Sequence, residues 1–462
     1  MTSSLVLLSP AATASEARAS SQAGRAPLAA LANADQLVPL VQGGFSRWVN
    51  LDYAASAPAL RAVADQLGSV LPLYASVHRG ASYASEACTA AYEAARREVA
   101  SFVGARGDDV TIFTRNTTDA LNLLAAAVPG PVVYLDIEHH ANLLPWQARG
   151  DRLVPARATL AQTLAAVEAE LASRPAALLT VTGASNVTGE CPPLTQLAAI
   201  AHRYGARLAV DGAQLVPHRR VDLGAIGADY LAFSGHKVYA PFGAGVLIGR
   251  RDWLDAAPAY LAGGGAVREV TADGTRWADA PARHEAGTPN VLGALALATA
   301  CRVLAALPSD ALAAHESALL GRLDAGLAAA GARVLRIWQD TTDRVPAVSF
   351  TLPGFPAARV AAYLSAEHGI GVRDGRFCAH PLLGRLGCGD GAVRVSLGLG
   401  SQADDVDRLI AALDQLRAEG PRWTYGADHR PTPDLRPRPA WAHAGAGADA
   451  GAVESVGSPC EQ

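Results

Sequence analysis

The central part of the chain alternates short apolar runs with longer helical stretches. Apolar runs typical of buried strands recur at 110–113, 131–137, 176–182, 207–210 and 230–233. Helical periodicity separates these runs, at 120–127, 159–173 and 194–204. Strands that are apolar throughout and alternate with helices indicate a mostly parallel sheet covered by helices on both faces. The pattern therefore predicts an α/β fold, in which ligands bind beyond the carboxyl ends of the strands.

The same pattern divides the chain into four segments. We predict a large domain over 46–295, whose first residues can pack against a second domain, and a smaller C-terminal α/β domain over 296–420. The Ala- and Ser-rich residues 1–45 lack steady periodicity and predict a disordered N-terminal extension. Residues 421–462 are rich in Pro, Gly and Ala and predict a disordered tail.

Composition narrows the classes of function. Half of the 462 residues are hydrophobic, 18% are charged and the formal net charge is −4, so we expect neither nucleic acid nor a membrane as a partner. No apolar run approaches the ~20 residues of a membrane span. The six cysteines show no CxxC pair and no regular spacing, which argues against a zinc site or a disulfide framework. These features favour a cytoplasmic enzyme without a metal centre.

One lysine lies where a strand should end. The apolar run 230–233 is followed by Ser234-Gly235-His236-Lys237, and a glycine-rich stretch then leads into a second strand at 244–249. Lysine is seldom buried, and a desolvated lysine has a lowered pKa, so its neutral amine can form a Schiff base with an aldehyde. From this stretch alone, a lysine that ends a strand and points to water is an equal alternative.

Two other predicted strand ends carry polar motifs. Asn116-Thr117-Thr118-Asp119 opens a helix, where free backbone N–H groups and two hydroxyls can bind a phosphate, although helix capping by Thr or Asp is the more frequent role. Asp211 ends a strand, with Gln214 three residues later. Its carboxylate can either hold a protonated ring nitrogen or cap a helix.

Two loops add an imidazole and an amide. Glu138-His139-His140 places two histidines beside a carboxylate, and because adjacent side chains in a loop diverge, stacking on a flat ligand fits better than metal ligation. Asn186 lies in a loop flanked by Gly183 and Gly189 that can aim an amide at a ligand. A phosphate site, a carboxylate for a ring nitrogen, a stacking imidazole and a Schiff-base lysine together describe a site for pyridoxal 5′-phosphate (PLP).

The sequence also resembles a known family. Asp211-Gly212-Ala213-Gln214 and Phe233-Ser234-Gly235-His236-Lys237 are similar to the signature of class V, fold-type I PLP enzymes. The resemblance to the SUF-type cysteine desulfurase and selenocysteine lyase branch rests on four motifs, His78-Arg79-Gly80, residues 138–147, residues 285–289 and residues 373–381. It extends from about Leu51 to Leu416 and implies a fold-type I transferase with a seven-stranded sheet in the large domain.

The resemblance implies a role for each matching residue. Lys237 would bind the cofactor aldehyde, Asp211 would pair with the pyridinium nitrogen, and His139 would stack on the ring and shuttle protons. Further cofactor contacts would come from Thr117, Thr118, Gln214, Ser234 and His236, and from Thr288 across the interface of a homodimer. Asn186, Arg373 and Arg394 would bind the substrate, since the planar fork of arginine suits a carboxylate.

Cys378 would decide the reaction. In the desulfurases the matching thiolate takes sulfur from L-cysteine, keeps it as a persulfide for an acceptor protein, and alanine is released. Arg373 and Arg376 nearby would favour the thiolate, whereas most isolated cysteines are structural. The resemblance therefore implies a PLP-dependent cysteine desulfurase-like enzyme with L-cysteine as its substrate.

Two departures from the family pattern border the expected substrate pocket. Phe377 stands where the SUF-type motif usually has histidine, and Leu397-Gly398-Leu399-Gly400-Ser401 replaces a frequent Tyr-Asn-Thr turn. They leave open a class V aminotransferase, epimerase or C–S lyase in which Cys378 is not catalytic. A non-catalytic binding partner with the same fold is a further alternative, but the intact set of Lys237, Asp211 and His139 argues against it.

Overall fold

The computed structural model describes residues 24–242, 244–308 and 310–443. The strands are β1 Leu37–Pro39, β2 Phe45–Arg47, β3 Val49–Asn50, β4 Asp109–Thr114, β5 Val132–Leu135, β6 Arg152–Val154, β7 Leu178–Thr182, β8 Arg207–Asp211, β9 Tyr230–Ser234, β10 Gly245–Arg250, β11 Val267–Thr271, β12 Gly274–Trp277, β13 Arg333–Val334, β14 Ala347–Thr351, β15 Ile370–Gly371, β16 Arg373–Gly375 and β17 Ala392–Ser396. The helices are α1 Arg61–Val70, α2 Tyr83–Phe102, α3 Thr117–Ala127, α4 Leu144–Ala148, α5 Leu160–Ser173, α6 Leu194–Arg203, α7 Leu223–Ile226, α8 Arg251–Ala256, α9 Val291–Ala306, α10 Ala311–Ala329, α11 Ala357–His368, α12 His380–Arg385 and α13 Ala403–Glu419.

A seven-stranded sheet forms the centre of the large domain, in the order β4-β10-β9-β8-β7-β5-β6. The five strands from β9 to β6 run parallel, and β10 runs antiparallel to both of its neighbours. Alternate residues enter hydrophobic clusters on opposite faces, with Leu179 and Leu231 in one cluster and Leu178 and Tyr230 in the other. Burial on both faces explains why these strands are apolar throughout, and the predicted α/β fold is confirmed.

The register of this sheet brings two predicted site residues to one edge. Asp211 is the last residue of β8, and it pairs with Thr182 at the end of β7 and with Ala232 in β9. Ser234 ends β9, so Asp211 and Ser234 both lie at the carboxyl ends of adjacent parallel strands. Parallel sheets in α/β folds bind ligands at this edge.

The smaller domain contains a four-stranded antiparallel sheet, in the order β13-β14-β17-β16. Its core includes Val348, Leu364 and Leu409 from β14, α11 and α13. Val49 and Leu51, near the start of the predicted large domain, are buried in this same core, and β3 pairs in parallel with β15. The chain therefore crosses the smaller domain before it enters the large one.

The predicted boundary at 295/296 falls inside a continuous helix. Helix α9 is buried in the large-domain cluster on both sides of that point, through Ala294 and Leu304 for example. We therefore propose that the boundary lies after α9. Among the described residues, no single helix is long and apolar enough to cross a membrane; α9 and α10 pass that test only as a pair, bent by 87° at the break between them.

The structure differs from the predicted extension 1–45 over residues 24–45. Leu31 and Val41 are buried, β1 pairs with β2, and the Leu28 N–H donates to the Leu399 carbonyl at 2.7 Å. Isolated apolar side chains in an Ala/Ser-rich stretch show no periodicity, and they are buried here because they pack on surfaces formed by distant residues. Residues 1–23 lie outside the described part of the chain.

The predicted tail 421–462 is likewise ordered over residues 421–443. Tyr425 is buried, and its hydroxyl donates to the Glu367 carboxylate at 2.9 Å. The same carboxylate accepts the backbone N–H of Arg422 at 3.0 Å and that of Trp423 at 3.2 Å. These contacts fix the tail to α11, where composition alone predicted disorder. Residues 444–462 lie outside the described part of the chain.

Replacing Glu367 with alanine should destabilise the protein measurably. Three donors would lose their buried acceptor, the Glu367 carboxylate. We therefore expect the free energy of unfolding, measured by urea denaturation, to fall by about 2–3 kcal/mol. Glu419→Ala is the control, since Glu419 is an exposed carboxylate near the same segment and should cost less than about 0.5 kcal/mol. Equal effects of the two variants would show that these three hydrogen bonds add no measurable stability.

Candidate active site

A cavity of about 300 Å³ opens at the carboxyl edge of the large sheet. Its lining contains every site residue predicted from the sequence except Thr288, namely Thr117, Thr118, His139, Asn186, Asp211, Gln214, Ser234, His236, Lys237, Arg373, Cys378 and Arg394. These residues come from at least six separate parts of the chain. Such convergence of polar side chains in one concave site is typical of a ligand pocket.

Thr288 lies elsewhere. It lines a second cavity of about 460 Å³ together with His78 and Arg79, whose motif also matched the family pattern. Within one chain, therefore, Thr288 is not part of the cavity that contains Lys237.

Lys237 ends the short 3₁₀ turn Gly235–Lys237 that follows β9. Burial lowers the pKa of its amine to about 8, although the nearby Asp211 charge opposes this shift. Lys237 is also the only lysine in the chain, and all the other residues among the 39 Lys and Arg are arginines. A guanidinium stays protonated and cannot act as an amine nucleophile, so this position demands a property that arginine lacks.

The protein without a bound cofactor should show this lowered pKa directly. We expect the rate of Lys237 acylation to reach half its maximum near pH 8, instead of near the ordinary value of 10.5, and to fall at lower pH as the amine becomes protonated. Asp211→Asn removes a charge that favours the protonated amine, so the midpoint should move further down. Peptide mapping separates this label from that on the N-terminal amine. A midpoint above pH 10 in the native protein would contradict the prediction.

Asp211 is buried, which raises the pKa of its carboxyl, while a hydrogen bond from the Ala213 N–H at 3.0 Å and the Lys237 charge act in the opposite direction. Glu138 is a second buried carboxyl close by, and burial raises its pKa well above the usual range. Its oxygens accept from Asn142 Nδ2 at 2.6 Å and from the Thr182 N–H at 3.0 Å. Glu138 thus links the loop that carries His139 to the end of β7.

His139 is held in one orientation and in its neutral form. Its Nδ1 accepts the Ala141 N–H at 3.0 Å, so the ring proton lies on Nε2. Burial, with a smaller contribution from the Lys237 charge, lowers the pKa of His139 to about 3. The same two causes lower the pKa of His236 to about 4. Both imidazoles are therefore neutral at physiological pH.

The start of α3 forms the polar end of the cavity. Asn116 caps this helix, because its side-chain oxygen accepts the Asp119 N–H at 3.0 Å. The capping role that the sequence left to Thr or Asp is thus filled by Asn116. The hydroxyl oxygens of Thr117 and Ser234 lie 2.7 Å apart, and Thr118 also faces the cavity. Gly245 allows β10 to approach, since a Cβ there would lie 2.4 Å from the Asn116 Cα.

Gln214 and Arg394 are each held by a residue of the segment 52–54. Gln214 Nε2 donates to the Ala54 carbonyl at 2.7 Å. Arg394 is almost fully buried; its Nη2 donates to Asp52 Oδ1 at 2.9 Å and its Nη1 to the Asn186 carbonyl at 2.9 Å. Arg373 pairs with Arg394 across β16 and β17. Asp52, which lies two residues after the end of β3, was not among the predicted site residues.

The Cys378 loop joins β16 to α12 in a strained conformation. Phe377 and Cys378 both have φ of 52°, in the left-handed region, which costs roughly 1–2 kcal/mol for each non-glycine residue. Two hydrogen bonds hold these residues, from Asn186 Nδ2 to the Phe377 carbonyl and from the His140 N–H to the Cys378 carbonyl, both 2.8 Å. The Cys378 side chain is half-buried and faces the cavity.

The chain is similar to known proteins over most of its length. The model of the aminotransferase class-V family matches residues 49–409. A cysteine desulfurase of Dickeya dadantii is 40% identical over 384 residues, which are 79% of this chain and 91% of that protein. A probable cysteine desulfurase of Pseudomonas aeruginosa is 40% identical over 382 residues, 79% of this chain and 92% of that protein.

Solved structures agree with these relatives. The apo cysteine desulfurase of Thermococcus onnurineus superposes with a TM-score of 0.73 at 32% identity, covering 80% of this chain and 94% of that one. The cysteine desulfurase CsdA of Escherichia coli gives a TM-score of 0.70 at 35% identity, with the same coverage. This chain belongs to the aminotransferase class-V family and is a cysteine desulfurase-like enzyme.

Proposed function

We propose that the chain binds PLP in the 300 Å³ cavity and converts L-cysteine to L-alanine, leaving the sulfur on Cys378 as a persulfide for an acceptor protein. The observation that carries this proposal is that Lys237, Asp211 and Cys378 line one cavity, although they are far apart in the sequence. The relatives of known structure and sequence that are called cysteine desulfurases support the same reaction.

The donors and acceptors of the cavity suit PLP. The hydroxyls of Thr117, Thr118 and Ser234 and the first turn of α3 would hold the phosphate, because helix N-termini favour anions. The buried carboxylate of Asp211 would hold a protonated ring nitrogen, and the neutral ring of His139 offers a flat face. Gln214 would contact the ring hydroxyl, His236 the phosphate, and the Lys237 amine the aldehyde.

The protein side of the mechanism follows from these positions. Bound PLP supplies an electron sink for an amino acid attached to it. The lowered pKa of Lys237 leaves a substantial fraction of the amine neutral near pH 8, which suits both covalent attachment and proton transfer. His139, neutral with its proton on Nε2, can donate that proton inside the cavity.

The sulfur transfer needs no external oxidant, because the carbon fragment of the substrate is reduced as the thiol is oxidised. Cys378 Sγ, as a thiolate, would form a bond to the substrate sulfur while the Cβ–S bond of the substrate breaks; the electron pair of that bond stays on the carbon fragment, whose Cβ then takes up a proton and becomes the methyl group of alanine. L-cysteine and the Cys378 thiol then become L-alanine and the Cys378 persulfide, without an external oxidant or reductant. Arg394 would hold the substrate carboxylate, and Arg373 beside it adds positive charge to the same end of the cavity.

The position of Thr288 supports an assembly of two chains. Thr288 lines a cavity of its own with His78 and Arg79, and it does not reach the cavity of Lys237 in the same chain. We propose that it contacts the phosphate bound by a second copy of the chain in a homodimer.

Incubation of the purified PLP-loaded protein with L-cysteine tests the reaction. We expect L-alanine and sulfane sulfur in equal amounts, with sulfide released when a reductant is present. Formation of a keto acid, or of pyruvate and ammonia, would instead identify an aminotransferase or a C–S lyase. If no alanine forms with or without reductant, the proposed function is wrong.

A further inference from the structure

The backbone of the Cys378 loop is held from outside the loop. The side-chain amide of Asn186, which is 6% exposed, donates to the Phe377 carbonyl at 2.8 Å, and the His140 N–H donates to the Cys378 carbonyl at the same distance. Two successive non-glycine residues with φ of 52° persist only where their surroundings enforce that conformation. The position of the thiol therefore depends on these donors.

Asn186 also contacts the arginine that we assign to the substrate carboxylate. Its backbone carbonyl accepts from Arg394 Nη1 at 2.9 Å. The Arg394 guanidinium lies 5.2 Å from the centre of the Phe377 ring, so Asn186, Phe377 and Arg394 all contact one another. Asn186 thus contacts both Arg394 and the loop that carries the Cys378 thiol. The distance between these two groups must match the length of a substrate that binds Arg394 by its carboxylate and reacts with the thiol through its sulfur.

We propose that Asn186 is a positioning residue, whose side-chain amide fixes the Cys378 thiol relative to a substrate held by Arg394. The proposal rests on the proposed function and adds to it, because the resemblance to the desulfurases implied only that Asn186 binds the substrate carboxylate. Here the amide already donates one N–H to Phe377, within the protein itself. The carbonyl that accepts from Arg394 belongs to the backbone of Asn186. A substitution of the side chain therefore removes the hydrogen bond to Phe377 but keeps the one from Arg394.

Asn186→Ala and Asn186→Leu remove the amide, the second with little change in volume. Because a thiol misplaced by about 1 Å reacts much more slowly, kcat for L-cysteine should fall about 10- to 100-fold in both variants, while KM changes by less than about threefold. Loss of a direct carboxylate ligand would instead appear mainly in KM. The split between kcat and KM thus distinguishes the two roles.

A second measurement needs no turnover. In the PLP-loaded protein without L-cysteine, the rate at which iodoacetamide alkylates Cys378, followed by mass spectrometry, should rise at least about threefold in both variants, because the thiol is no longer held. This rate reports the loop even if the native protein fails to desulfurate L-cysteine, an outcome that would overturn the proposed function alone.

Thr188→Val is the matched control. Thr188 is buried in the same loop, two residues from Asn186, and within the described part of the chain its hydroxyl has no hydrogen-bond partner. Its kcat, KM and alkylation rate should equal those of the native protein. An unchanged alkylation rate in both Asn186 variants, or a loss of kcat/KM that lies entirely in KM, would overturn the positioning role.

Discussion

Cys378→Ser should bind PLP normally and yet form no persulfide. The serine hydroxyl is far less acidic than a thiol and cannot accept sulfur, so the rate of alanine formation from L-cysteine should fall by at least about 10³-fold, the scale seen when an essential nucleophile is removed. The cavity loses no group that contacts PLP, and the absorbance of the bound cofactor should therefore be retained. Mass spectrometry of the native protein after L-cysteine should find one added sulfur on Cys378.

Cys388→Ser is the control for this experiment. Cys388 is buried, lies outside the lining of the cavity, and its Sγ is 2.8 Å from Nη2 of Arg333. We expect this variant to form the persulfide on Cys378 at the native rate. Alanine formation by Cys378→Ser at the native rate would show that the thiol is not needed to remove sulfur from L-cysteine, and would overturn its catalytic role.

Lys237→Ala should abolish both covalent attachment of PLP and turnover. Borohydride treatment of the native loaded protein should fix PLP on the peptide that contains Lys237, and no other side-chain amine competes, since the chain has one lysine. With neither the attaching amine nor the proton-transfer group, turnover of L-cysteine should fall by more than about 10³-fold.

Lys237→Arg is the companion variant, because it keeps a positive charge beside Asp211 but has no nucleophilic amine. We expect it to be as inactive as Lys237→Ala and to bind PLP without a covalent bond. If borohydride fixed PLP in the native protein only on the N-terminal amine, or if either variant turned over L-cysteine at a rate near that of the native protein, the assignment of Lys237 would be refuted.

Part of the cavity lining could be predicted from the sequence, because residues such as Asp211 and Lys237 lie at the end of a strand or directly after it. The apolar runs that end at Asp211 and Ser234 need burial on both faces, and parallel strands place their carboxyl ends at one edge. The composition of the chain also points to Lys237, independently of the strand pattern. As the only lysine among 39 basic residues, it occupies the one position at which arginine cannot replace an amine.

The packing of residues 24–45 and 421–443 could not be predicted in this way. Leu31, Val41 and Tyr425 lie in segments whose composition indicates disorder, and they are buried because distant residues provide matching surfaces. Local composition measures what a segment can bury by itself, whereas these segments pack against a core formed by the rest of the chain.

The sequence by itself determined the α/β fold and the strand-end positions of Asp211 and Lys237, since each depends on periodicity or on the end of one element, while Arg373, Cys378 and Arg394 were indicated only by the resemblance to a known family. Only the tertiary structure decided what those residues contact. It directs the Asn186 amide to Phe377, pairs Arg394 with Asp52, and places Thr288 outside the cavity of its own chain. Such contacts join residues far apart in the sequence, and their partners are fixed only when the domains pack together.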